Sequence, residues 1–210
     1  MALTVVKTSA LSGTITNAQL AGSIDLTSKV TGALPIANGG TALTSGFVNG
    51  GGITMADQWR VSAAFDGAAN PPTSWERIDT SGQGTLGSAM TESSGVFSFP
   101  STGIYLVHAQ RQGYCPNKAA NIHILIKVTI NNADYTTVSQ GYGNTQPNSQ
   151  DPSNNDHYTV ITSSLVDVTS TSDVKFWCGF SYYGSVSSLT TVGSTAQNNS
   201  FVTVLRLGDT

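Results

Sequence analysis

The side chains with the most chemistry to offer are few: three histidines, two glutamates and two cysteines. His108, His123 and His157 occur outside any His-Glu-x-x-His or Cys-His ligand spacing, so no zinc site is spelled out. His108 and His123 fall on strands expected to be neighbours, where their imidazoles could share a metal. Satisfied or exposed histidine is the plainer alternative. Asp151 and Asp156 share a polar loop that could meet a calcium ion, without the spacing of a calcium-binding loop. Glu76 and Glu92 lack an evident partner for the paired-carboxylate chemistry of glycoside hydrolysis. No Gly-x-Ser-x-Gly is present. The expectation is therefore a protein that is no enzyme, with no catalytic residue, no metal and no cofactor. Cys178 reads as a small buried hydrophobe in a strand and Cys115 as an incidental thiol in a Gly-Tyr-Cys-Pro turn; a disulfide between them is the alternative.

What remains is recognition chemistry made of rings and amides. Tyr142, Asn144, Gln146 and Asn148 stand at or in the polar loop 143–156, with Tyr183 and Asn198 as further candidates. Aromatic faces cover the C–H surface of a sugar and amides match its hydroxyls, so these six residues are the candidate ligand contacts. Loops of this length are also where binding residues concentrate, although a merely tolerated surface loop has the same composition.

The elements that must position these groups are strands. Asn121–Ile130 is the clearest: Ile122, Ile124, Ile126, Val128 and Ile130 share one face, while His123, Leu125, Lys127 and Thr129 share the other. A period of two in β-branched residues marks a half-buried antiparallel strand. Before it, Phe97 and Phe99 alternate in Val-Phe-Ser-Phe, and Pro100 and Gly103 mark a tight reversal into 104–112. Further strands are expected at 59–65, 75–78, 135–142, 158–168, 174–183 and 201–207, with an Asn131-Asn132 turn. About ten strands without a convincing long helix imply an all-β two-sheet sandwich.

Composition narrows the setting. Charged residues make up 10% of the 210, the formal net charge is −3, and no Lys/Arg cluster offers a footprint for nucleic acid. No run of about 18 apolar residues spans a membrane. The first thirteen residues are too polar for a secretion signal. A surface of Ser, Thr, Asn and Gly suits an extracellular or virion protein, and without a signal such a protein is expected to leave the cell some other way, of which lysis is one.

Residues 1–52 differ from the rest. They hold no aromatic before Phe47 and only Lys7, Asp25 and Lys29 as charges. Short apolar phrases punctuated by glycine echo each other at 12–15 and 21–24. None is long enough to bury a face alone. The readings are an intertwined stalk or docking peptide ordered in an oligomer, a disordered tail, or a small separate domain. Gly50-Gly51-Gly52 reads as the hinge, giving an N-terminal segment 1–52 and a head 53–210.

Trp59–Gly67, Gly95–Gln110, Asn121–Tyr135 and the closing Phe201–Gly208 resemble, in order and spacing, the head of the C1q and tumour-necrosis-factor (TNF) superfamily. Thr171-Ser172-Asp173 stands where that family often has Gly-Asp. The resemblance implies a jelly roll assembled as a homotrimer, with Tyr105, Trp177, Tyr183 and Phe201 as candidate axial residues. Any of the four could equally belong to the sandwich core. Val30–Leu43 resembles a phrase of phage tail-fibre proteins, with Ile36 and Ala42 at two departures. That resemblance implies a bacteriophage fibre, spike or appendage, located in the virion. Leu34, Pro35, Ile36 and Asn38 would dock it on other virion proteins, and the head would be free to meet a host glycan or protein. A purely architectural head-fibre, neck or decoration role and a cellular C1q-like binding module are the alternatives.

Overall fold

Between Gly103 and Pro116 every odd-numbered residue is buried and every even-numbered one is half-buried. Between Asn155 and Val168 the inward positions are likewise covered and the outward ones exposed. These two fourteen-residue strands pair antiparallel along their whole length. A computed structural model describes residues 53–116, 119–146, 155–184 and 189–210. All lie in one compact unit, Gly51–Thr210. Among the described residues there are twelve strands and no helix: β1 (Met55–Val61), β2 (Phe65–Asp66), β3 (Trp75–Arg77), β4 (Thr91–Ser93), β5 (Val96–Ser98), β6 (Gly103–Pro116), β7 (Ala120–Thr129), β8 (Thr136–Thr145), β9 (Asn155–Val168), β10 (Lys175–Tyr183), β11 (Thr190–Thr191) and β12 (Phe201–Gly208). Two of these, β2 and β11, are dipeptides; setting them aside leaves the expected ten.

The strands form two antiparallel sheets. A seven-stranded sheet has the core order β3-β1-β12-β6-β9, with β11 and β2 continuing beside the far end of β6. A five-stranded sheet has the order β4-β5-β10-β7-β8. The chain passes from one sheet to the other between β5 and β6, so Pro100–Gly103 is a crossover rather than a hairpin. The edges formed by β8 and β9 lie against each other: a Cβ on Gly141 would stand 2.1 Å from the Ile161 carbonyl oxygen, so only glycine permits that approach.

The inward faces build one core of aromatic and β-branched side chains. Phe97 stacks on Phe176 at 5.0 Å and meets the edges of Trp75 and Trp59. Each such ring pair adds about 0.5–1.5 kcal/mol to the area buried. Arg111 also lies in this interior, fully buried. Its Nε donates to Thr191 Oγ1, its Nη1 to the carbonyls of Ser181 and His123, and its Nη2 to that of Gly67. The guanidinium thus ties both sheets to the loop after β2, and burial pulls its pKa below the ordinary 12.5, opposed by Tyr158.

Several expectations are corrected. The first strand begins at Met55 and stops at Val61, where the amides of Val61 and Ser62, donating to the carbonyls of Ser200 and Ser74, are the last rungs of its two ladders. Ile130 was expected inside but is 78% exposed, since β7 ends at Thr129. The polar run expected to be loop from Gly143 is strand through Thr145, held by register with Asn121 and Ala120. Asn155 and Asp156 are likewise strand, in β9. Cys115 is not in a turn but on the inward face of β6, and neither it nor Cys178 forms a disulfide. The Asn turn is as expected: Asn132 takes a positive φ of 56° and Asn131 Oδ1 accepts from the amides of Ala133 and Asp134. The N-terminal segment, including the proposed docking residues Leu34, Pro35, Ile36 and Asn38, lies outside the described residues.

Candidate functional site

Residues directly opposite across a ladder share a face. With β7 between β10 and β8, the outward side of the five-stranded sheet therefore carries four cross-strand rows: Tyr183–Asn121–Asn144, Ser181–His123–Tyr142, Gly179–Leu125–Gln140 and Trp177–Lys127–Thr137. The period-two pattern of β7 puts its isoleucines inward and so forces His123 and Lys127 outward.

At one end three rings come together. His123 meets Tyr142 at 4.3 Å and Tyr183 at 4.6 Å, both edge-on, at 71° and 68°. The two tyrosines are 55% and 68% exposed, whereas the imidazole between them is nearly covered. His123 Nε2 lies 2.5 Å from Asn121 Oδ1. Burial lowers the His123 pKa from its ordinary 6.5, and the charge of Arg111 lowers it further. The neutral ring then donates through Nε2 to Asn121, leaving Nδ1 as an acceptor. Asn144 stands opposite Asn121. Two exposed ring faces beside amides can hold a sugar by stacking and hydroxyl hydrogen bonds.

At the other end the Lys127 ammonium sits 5.2 Å from the Trp177 ring centroid, and Tyr135 flanks the same indole at 6.0 Å. Between the two ends Gly179 lets Asn70 lie on the sheet. A Cβ there would meet Asn70 Oδ1 at 2.5 Å and Trp177 Cζ3 at 2.9 Å.

The outward side of the seven-stranded sheet is different in kind. Ala56, Leu205, Leu106 and Leu165 form an unbroken cross-strand row, extended by Leu86 through its bridge to Ala56. Leu165 is 63% exposed. The next rows are Gln58–Thr203–His108–Ser163 and Arg60–Phe201–Gln110–Ile161. Asn198 Nδ2 donates to Gln58 Oε1, and Gln58 Nε2 donates to Thr203 Oγ1.

The candidate ligand residues are thus partly gathered and partly dispersed. Tyr142, Asn144 and Tyr183 share one face, and Gln146 is exposed just past the end of β8. Asn148 lies outside the described residues. Asn198 is on the opposite side, over the seven-stranded sheet. The four candidate axial residues occupy three places. Trp177 and Tyr183 are on the aromatic face and Phe201 is beside His108 on the other. Tyr105 is corrected: it is fully buried against Phe99, with its hydroxyl at Ser101, and has no protomer surface to give a neighbour. The two histidines expected on adjacent strands are also corrected. His108 on β6 and His123 on β7 belong to different sheets and point away from each other. Among the described residues no group of three or more His, Cys, Asp or Glu could hold a metal. Nothing in the sequence marks Asn121 or Asn70 as members of the aromatic face, and His123 reads there as a shared metal ligand or as a satisfied or exposed histidine. The alternation of β7 already placed His123 outward, but only strand pairing shows what surrounds it.

No protein-family model and no curated protein matches the chain. Solved structures do. Murine APRIL at pH 5.0 aligns with a TM-score of 0.51 at 10% identity, over 73% of this chain and 98% of that one. The Eiger TNF of S. frugiperda aligns with a TM-score of 0.51 at 14% identity, over 75% and 95%. The head therefore has the TNF-like jelly-roll fold; at such identities the likeness concerns the fold alone.

Proposed function

We propose that the protein is a trimeric attachment module of a virion. Residues 1–52 join it to other virion proteins, and the head presents a carbohydrate-binding face toward the host. The observation that carries this reading is the difference between the two outward faces of the sandwich. One bears a continuous apolar row, Leu86–Ala56–Leu205–Leu106–Leu165, suited to burial against copies of itself. The other bears exposed tyrosines beside amides. The tail-fibre-like phrase at Val30–Leu43 supports the virion setting. We assign no catalysis: Glu76 pairs with Arg60, and Glu92 accepts from the Gly95 amide, so both glutamates hold structure.

Particles carrying Tyr142→Ala and Tyr183→Ala test the reading. They should assemble normally and adsorb to host cells at least tenfold more slowly. Unchanged adsorption would replace receptor binding with an architectural, decorating role.

A further inference from the structure

The five-stranded sheet carries a second aromatic post and a one-sided charge, and together they narrow the ligand. Trp177 and Tyr183 are six residues apart on β10, about 20 Å at the rise of a strand. Both face outward, with Asn70 and Leu125 between them. A single sugar ring on Tyr142 and Tyr183 would leave the Trp177 end empty.

Charge gives the second constraint. Strands β5, β7, β8 and β10 contain no Asp or Glu, but two outward lysines, Lys127 and Lys175. This occurs in a chain of net −3 with twelve acids. The sheet's single acid, Glu92 on β4, stands opposite the buried Phe97 and is bonded to the Gly95 amide. Two acids of the neighbouring turns are hydrogen-bonded there, Asp134 with Asn131 and Asp173 with Ser170. Lys127 is not a loosely waving cation, because its ammonium rests over the Trp177 ring. A ring to stack on with a fixed ammonium beside it suits a sugar bearing a carboxylate or phosphate.

We infer that this face binds an extended, acidic oligosaccharide chain. The rings of Tyr142 and Tyr183 hold one unit, Asn70 meets the middle, and Trp177 with Lys127 holds an anionic unit at the far end. The inference rests on the carbohydrate reading above and adds chain length and charge to it.

The test is the full-length protein on an array of surface glycans printed in matched pairs, with and without carboxylate or phosphate, at several chain lengths. Binding should favour the acidic member at least tenfold and increase with length. Lys127→Gln should weaken the best acidic hit about tenfold and flatten its dependence on salt. Trp177→Ala should weaken long acidic chains more than short uncharged fragments. Equal binding of the uncharged members, or no gain with length, overturns the acidic-chain inference and keeps the carbohydrate site. No glycan bound at any length overturns both. Tyr142→Ala separates the two ends: it should weaken short and long chains alike.

Discussion

Strands β6 and β7 follow each other in the chain and both alternate, yet their outward residues are opposite in character. Outward from β6 stand Ile104, Leu106, His108 and Gln110, in a sheet whose neighbouring strands add Leu205 and Leu165. Outward from β7 stand Asn121, His123, Leu125 and Lys127, in a sheet whose neighbours add Tyr142, Tyr183 and Trp177. Inward, both strands fill the core with apolar side chains, apart from Arg111 on β6. The shared core sets the fold and cannot distinguish the faces. The difference in character is written only in the residues that the core does not need.

The largest expected effect breaks the apolar side. Leu165→Asp puts a charge at the exposed end of the leucine row, where burial against a second copy leaves it unpaired. The purified variant should run as a monomer, with its fold kept, by light scattering and circular dichroism. Next is the buried tie beneath the aromatic side. Arg111→Leu leaves four acceptors without that donor and should cost about 2–3 kcal/mol in denaturant unfolding. It should also disturb the rings of His123 and Tyr183 in NMR spectra while leaving assembly intact. On the aromatic face itself, Tyr142→Ala and Tyr183→Ala remove rings that are mostly solvent-exposed. Stability should change by less than about 0.5 kcal/mol, while glycan binding falls about tenfold.

Smaller still is the pH effect of His123. Its folded pKa lies below the unfolded value of 6.5, so the unfolded chain binds the proton first as pH falls. The contribution of the neutral ring is full above pH 6.5 and is lost progressively below it. Denaturation midpoints at pH 7.5 and pH 5 should differ in that direction, and His123→Gln should shrink the difference. The smallest effect is expected inside: burial pushes the Cys178 thiol up to about 12, so a thiol-reactive dye should leave Cys178 unmodified until the protein unfolds.

Much of this architecture is legible in the residue order. Alternation at 104–112, 122–130, 158–168, 174–183 and 201–207 identifies long strands, and at 96–99 the short β5, because every second residue must enter the core. Strand ends are less legible. Gly143 and Asn144 have poor strand propensity and are strand only because β7 offers them a partner. Sheet membership is the least legible: alternation says that His108 and His123 face outward, but not that β6 and β7 lie in different sheets. That is why a shared metal was conceivable from sequence, and why the contact of His123 with two tyrosines was not visible. Tyr105 misled for a related reason, since its type suits an interface as well as a core and its position on an inward-facing register decides between them.

The most direct test of the division between faces is the solution mass of three purified full-length proteins side by side: wild type, Leu165→Asp, and the Tyr142→Ala, Tyr183→Ala double variant. The wild type and the tyrosine variant should both weigh about 65 kDa, three times 21.8 kDa, and the leucine variant about 22 kDa. A monomeric wild type, or a trimer that Leu165→Asp leaves intact while the tyrosine changes dissolve it, would contradict the assignment of assembly to one face and binding to the other.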